Sequence, residues 1–359
     1  VRSLVWDHLL GSSPGLPAIT ISQMLVNEKE PMVKERIRRF GQRKLKSKLG
    51  LQEAFIRERL DRFTEDRPES DHTIGDAFQS GIGNEIFAAL YQVAEERDPT
   101  YLPEVISLMK DADPDIKSVA ISTAGIMESG GIGLELIQFL DHPDLYSVAW
   151  SAVVKQGEEV LEDLESTFHK PDADIKLQKR IISVMSAIGG ERAVQLILDK
   201  LVYHHREVFH AVVAGLYENG YKASDIQLAT IQNAILRMVQ TGTWNLAAKI
   251  SLRTGDPGGS LAMAIEHEIG EVNNVILMLL AMIYDRRSIH RIRMNLLDTR
   301  SEDRGMAIEL LDLLVNEPLR TVLISYFHDV SVKEKIDKLQ GLYDVDVFPV
   351  ESLLKRILN

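Results

Sequence analysis

The stretch Asp113-Pro114-Asp115-Ile116-Lys117-Ser118-Val119-Ala120 returns in shortened form as Pro143-Asp144-Leu145-Tyr146-Ser147-Val148-Ala149, 29 residues from proline to proline. Each copy follows an apolar run, Leu102 to Met109 and Leu134 to Leu140. A helix, a short Asp/Pro corner and a second helix therefore recur. One such pair cannot bury its apolar face alone, whereas stacked pairs share a continuous core. The expectation is an all-α fold, an α-solenoid of stacked antiparallel helix pairs with irregular terminal units.

The corner has a physical logic. Aspartate caps the following helix by accepting an orphan backbone N–H, and proline fixes the backbone without continuing the previous helix. The branched residue at the Ile116 position begins an apolar face. Ala120, one turn later, is small enough for neighbouring helices to approach closely. Lys117, Lys34 and Lys176 share one register and are expected to lay their stems over the ridge with the ammonium in water.

Looser copies extend the plan in both directions. Pro31-Met32-Val33-Lys34 repeats the corner near the N-terminus, and Thr64 to Asp71 reads as a polar loop. Ile86, Leu90 and Val93 mark a helix before Asp98-Pro99, where proline suits a first turn. Asp172-Ala173-Asp174-Ile175-Lys176 is a further corner, leading to a helix ended by Gly189-Gly190. A later unit runs from Ala193 through His204-His205-Arg206 to Leu216, closed by Asn219-Gly220. Thr241-Gly242-Thr243-Trp244 and Thr254 to Ser260 read as interruptions, followed by a long helix from Leu261 through Ile265, Ile269, Val272 and the apolar run Val275 to Ile283. In the last clear unit Arg304 and Ala307 keep the spacing of Lys117 and Ala120, Asn316-Glu317-Pro318 breaks the helix, and Ser352 to Ile357 reads as a terminal cap. Three regions are expected: N-terminal helices over 1–63, a central solenoid over 64–240, and a C-terminal helical region over 241–359.

Composition bounds the function. Hydrophobic residues make up 45% of the 359, and there is no cysteine, which suits a soluble intracellular protein and excludes disulfides, thiolate metal sites and a cysteine nucleophile. The longest apolar run, Val275 to Ile283, is about half of the roughly 20 residues a membrane span needs, and reads as a buried helix. The chain begins Val1-Arg2-Ser3 without a leader pattern or an initiating methionine, which fits either a piece of a longer protein or a chain whose first residues are missing. A net charge of -12 opposes sequence-independent nucleic-acid binding, which depends on neutralising phosphates. The sign is uneven: residues 34–48 hold eight bases against Glu35, whereas residues 95–174 hold 18 acids against 5 bases, a balance of -13. Such asymmetry can steer a partner or a neighbouring domain.

Several clusters have a chemical and a plainer reading. His267-Glu268-Ile269-Gly270-Glu271 approaches the zinc-protease pattern but has glutamate where the second histidine belongs. The plainer reading places Glu266 and His267 on the polar side of a long helix. His204, His205 and His210 lack a paired carboxylate or cysteine and read as corner residues, with His210 near a repeat contact. Gly255 to Ser260 lacks the lysine of a phosphate loop, and Gly130-Gly131-Ile132-Gly133 follows a helix rather than a strand. Both read as helix stops. Glu158, Glu159, Glu162, Asp163 and Glu165 crowd one helix without a sign of a cleft. Tyr146, Trp150, Tyr203, Phe209 and Tyr217 have helical spacing that fits core packing better than a groove rim. No catalytic, cofactor-binding or metal-ligating residue is assigned, and no cofactor is expected.

These units resemble HEAT repeats, residues 113–120 following that consensus nearly throughout, with looser copies at 31–37, 143–149, 171–179 and 302–309. The motif specifies a helical scaffold. In the C-terminal third, Glu266 to Glu271, Leu279 to Asp285 and Met306 to Leu314 resemble the soluble HEAT region that follows the major-facilitator membrane domain in bacterial relatives of ATP/ADP translocases. That resemblance implies a cytosolic docking or relay segment whose partner is a protein or an adjacent domain. Transport and cyclic-nucleotide binding are not carried over, because the parts that perform them have no counterpart in these residues. The expected function is thus a non-catalytic interaction scaffold, cytoplasmic, with no nucleic-acid partner and no membrane span of its own. The alternative is a HEAT-like DNA-base glycosylase, holding duplex DNA on a basic concave face, or another nucleic-acid-acting enzyme. The acids of 95–174 oppose it and the bases of 34–48 give it slight support.

Overall fold

The computed structural model describes residues 73–110, 113–127, 131–203, 205–253, 260–297 and 303–341, with helix placement alone given for 251–253, 260 and 261. The expected elements within 1–63, the Thr64–Asp71 loop, the basic run 34–48, His204, Thr254 to Gly259 and the terminal helix at 352–357 lie outside these residues. The described residues form 16 α-helices and no strand. In order these are α1 Ile74–Gln79, α2 Gly83–Glu96, α3 Leu102–Leu108, α4 Pro114–Met127, α5 Gly133–Ile137, α6 Tyr146–Lys155, α7 Leu161–Phe168, α8 Ile175–Ile188 and α9 Gly190–Asp199. They continue as α10 Arg206–Glu218, α11 Asp225–Arg253, α12 Ser260–Ile283, α13 Arg286–Leu297, α14 Arg304–Leu314, α15 Leu319–Phe327 and α16 Val332–Leu339. Short 3₁₀ turns at Pro99–Tyr101, Gln138–Leu140, Gly157–Val160 and Lys200–Val202 extend or introduce helices. Two units divide between Leu196 and Ile197.

In the first unit α2, α4, α6 and α8 pack side by side, with α3, α5 and α7 paired to the helices that follow them. This is the stacked-pair fold anticipated from the repeated corner. The corners work as their chemistry dictates. The Asp113 carboxylate accepts from the N–H of Asp115 at 2.7 Å and of Ile116 at 3.4 Å. Asp174 accepts from Leu177 N–H at 2.7 Å, and Asp98 from Thr100 N–H at 2.9 Å. The middle corner differs: Asp144 does not cap α6, and His142 Nδ1 instead accepts from the N–H groups of Asp144 and Leu145 at 3.3 Å. The side chain two residues upstream curls back onto the same orphan donors, leaving Asp144 exposed.

Small residues set the spacing between layers. Ala120, Ala124 and Ala149 are fully buried, and Ala152 nearly so. A Cβ placed on Gly125 would fall 2.6 Å from Ala152 Cα. Carbonyls freed at helix ends are met by side chains from other elements: buried Gln156 donates to Gly125 O at 3.2 Å, and Gln178 to Phe168 O at 3.2 Å. Gly189 ends α8 with φ 67, as the sequence indicated, although its ψ of -159 lies outside the left-handed helical region.

In the second unit α12 is buried from Val275 through Met282, packed among α10, α11 and α13. An all-round apolar helix demands such enclosure. Among the described residues no helix is long and apolar enough to cross a membrane. Thr241-Gly242-Thr243-Trp244 does not interrupt the pattern but lies inside α11, which runs unbroken from 225 to 253. The two hydroxyls donate to carbonyls one turn back, Thr241 to Arg237 O at 3.1 Å and Thr243 to Val239 O at 2.8 Å. Gly242 is there for close approach, since a Cβ would sit 2.1 Å from the Tyr326 hydroxyl oxygen of α15. Residues 240 and 241, where a regional boundary was drawn, are thus mid-helix. Both α15 and α16 pack onto α11.

Candidate functional site

The two histidine-bearing stretches singled out above meet in the second unit, where α10 packs on α12. Arg206, at the start of α10, holds Glu268 of α12 through two contacts, 2.6 Å and 2.8 Å. One turn further His210 faces the same seam, with its Nε2 enclosed and without a hydrogen bond within the described residues. Burial, followed by the Arg206 charge, pushes the imidazole below its ordinary 6.5, against the pull of Glu271, Glu268 and Glu207. His267 is exposed, away from this seam, so the His-Glu-x-x-Glu segment splits between two faces of α12. Among the described residues no three His, Asp or Glu side chains group to hold a metal ion. The seam provides a helix-to-helix ion pair beside a neutral imidazole.

The acid-rich segment 158–165 is dispersed rather than convergent. Glu162 pairs with Arg192 at 2.5 Å, Glu165 with His169 at 3.0 Å, Asp163 lies against Gly133, and Glu158 lies against Gly190. Glu158 and Glu159 also belong to a 3₁₀ turn, off the helix on which all five carboxylates were placed. The aromatics have a shared use that sequence reading missed. Arg180 of α8 stacks 4.1 Å from the Tyr146 ring and donates to Leu140 O at 2.5 Å, where the α5 segment ends. Arg237 of α11 repeats the device, 5.4 Å from the Phe209 ring and donating to Leu201 O at 3.3 Å. Each arginine closes the carbonyl end of one helix and lies on the aromatic opening the next. Tyr217 carries Arg286 at 4.4 Å and Arg293 at 5.4 Å, while Trp150 donates to Ser183 at 3.2 Å.

One further concentration of charge had no signal in the sequence. Burial first, then the Arg304 charge of α14, pushes the Lys335 amine of α16 down to about 8, with Asp329 opposing and Lys249 of α11 adding to the shift. Lys249, Arg304 and Lys335 stand 55 and 31 residues apart, far outside any motif window.

The first unit presents a charged edge. Because α4, α6 and α8 stack, successive corners come to one edge, as the 3.6 Å approach of Lys176 to Asp141 records. Asp113, Asp115, Asp141, Asp144, Asp172 and Asp174 are all exposed there. Comparison with family models, with characterised proteins and with solved structures finds no match to this chain.

Proposed function

We propose that this chain is a non-catalytic interaction scaffold, a cytosolic docking or regulatory segment of a larger and transporter-associated protein, whose partner is a basic face of another protein or domain. The observation that carries the reading is the acidic edge of the first unit. Two of its aspartates are helix caps and Asp141 is paired, and these three stand exposed with Asp115, Asp144 and Asp172 along the same edge. Stacked repeats fix the spacing of such charges, and rigidly spaced charges steer and orient a complementary partner.

The test is a triple variant, Asp115→Asn, Asp144→Asn and Asp172→Asn, which spares the capping residues. Crosslinking mass spectrometry on the full-length protein in its host should show crosslinks from residues 113–176 to a basic partner surface. These should be lost in the variant and weakened by salt, with circular dichroism unchanged. Crosslinks that persist in the variant overturn the reading. Release of free base from duplex DNA carrying an alkylated base would replace it with the glycosylase alternative.

A further inference from the structure

We propose that the exposed apolar stripe of α14, made by Met306, Leu310 and Leu313, is the docking site for this chain's own segment 342–359, which lies on it as an amphipathic helix. The inference stands apart from the acidic edge of the first unit. One face of α14 is already buried through Ala307, Ile308 and Leu311, with α13 and α15 packed on the helix. Met306 is nonetheless 67% exposed and Leu313 83%, with Leu310 half-buried between them. Positions 306, 310 and 313 fall on one side of a helix, so they form a continuous strip rather than scattered surface residues. A helix apolar on both sides calls for cover on both. Where a stack of repeats ends, its outer face is polar, and this one is not.

The occupant follows from spacing, charge and reach. Leu353, Leu354, Ile357 and Leu358 are spaced as one face of a helix. Lys355 and Arg356 stand beside that face, while Glu309 is exposed beside Met306 and Leu313, so the charges at the margins are complementary. Segment 342–359 continues from α16, and Asp329, just ahead of α16, lies 3.8 Å from Arg304 at the start of α14. The 8 residues of α16 and the 11 of α14 together make about 29 Å of helix. The 13 residues from Gln340 to Leu353 span up to about 43 Å when extended, enough to bring the segment onto the stripe. Such a tether sets an effective concentration on the order of millimolar, which favours this segment over a second copy of the chain.

The chain has no cysteine, so introduced pairs report the contact directly. In the full chain, Leu313→Cys with Leu354→Cys should form an intramolecular disulfide under mild oxidation, at a rate independent of protein concentration. The control pair, Leu354→Cys with a cysteine replacing Ile226, which is 91% exposed on α11, should form it far more slowly. Trypsin reads the undocked population without a crosslink. Cleavage after Lys355 and Arg356 should be at least about tenfold faster in Leu313→Asp than in the parent, with circular dichroism unchanged. Leu353→Ser/Leu358→Ser should be cleaved as fast, and adding Leu313→Asp to it should change little. Equal cleavage in the parent and Leu313→Asp, or equal disulfide yield from the control pair, overturns the proposal. A disulfide between two chains that grows with concentration also overturns it and assigns the stripe to a second copy.

Discussion

Arg180 joins three parts of one repeat contact: the carbonyl at Leu140, the Tyr146 ring and the Asp141 carboxylate, the last at 3.6 Å. Its side chain is 16% exposed, so these contacts are poorly screened. A charge-assisted hydrogen bond plus a stacked guanidinium is worth roughly 2 to 4 kcal/mol. Arg180→Met should lower the unfolding free energy by about that much in urea titrations, and Arg180→Lys should recover less than half, since an ammonium cannot both stack and fork. In sequence Arg180 is one of several bases in Lys176 to Arg180; its carbonyl partner lies 40 residues upstream, beyond any local pattern. His210 was legible as a residue near a repeat contact, but its protonation was not. With its pKa depressed by burial, the folded state binds fewer protons than the unfolded one as pH falls below 6.5. Stability from the neutral imidazole is present above 6.5 and is lost as pH drops from there through the folded pKa. Arg206 and Glu207 of α10 and Glu268 and Glu271 of α12 are the charges facing it. Between pH 7.5 and 5.5 the parent should therefore lose more of its urea midpoint than His210→Phe does; equal losses would remove His210 as the cause.

At the scale of the element, helix identity follows from periodicity and helix contact from residue size. Ile86, Leu90 and Val93 bury one face of α2, and each such side chain is worth roughly 1.5 to 3 kcal/mol. The corners were readable because capping is local, although His142 in place of Asp144 shows that several side chains near a turn can reach the same N–H groups. Gly242 was misread because a glycine beside two threonines looks like a breaker when its neighbour is unknown. That neighbour is Tyr326, whose buried hydroxyl donates to Asn273 at 2.8 Å. Alanine at 242 would gain about 1 kcal/mol of helix propensity, but its Cβ would displace Tyr326 at a cost of about 1 to 3 kcal/mol from overpacking and loss of that hydrogen bond. Gly242→Ala should be net destabilising, with partial recovery in Gly242→Ala/Tyr326→Phe, as a double-mutant cycle would measure. Gly125→Ala should destabilise without such relief, since the atoms it meets include Ala152 Cα and carbonyl oxygen.

Across the whole molecule, stacked pairs couple each layer chiefly to its neighbours. Within the first unit, Arg180→Met should speed amide exchange first in α5 to α8 and progressively less toward α2, as hydrogen-exchange mass spectrometry would resolve; a uniform rise would indicate one cooperative block. The second unit departs from simple succession because α15 and α16 return to α11. The sequence by itself determined the all-α class, the helix-corner-helix unit, the register of Ala120, Ala149 and Ala307, and the burial of the apolar run ending α12. These follow from spacing and capping, which act over one or two turns. Tertiary structure alone decided that α11 is continuous, that arginines close carbonyl ends on aromatic faces, and that Glu268 meets Arg206. Each depends on which surfaces meet across tens of residues, and local spacing does not encode that meeting.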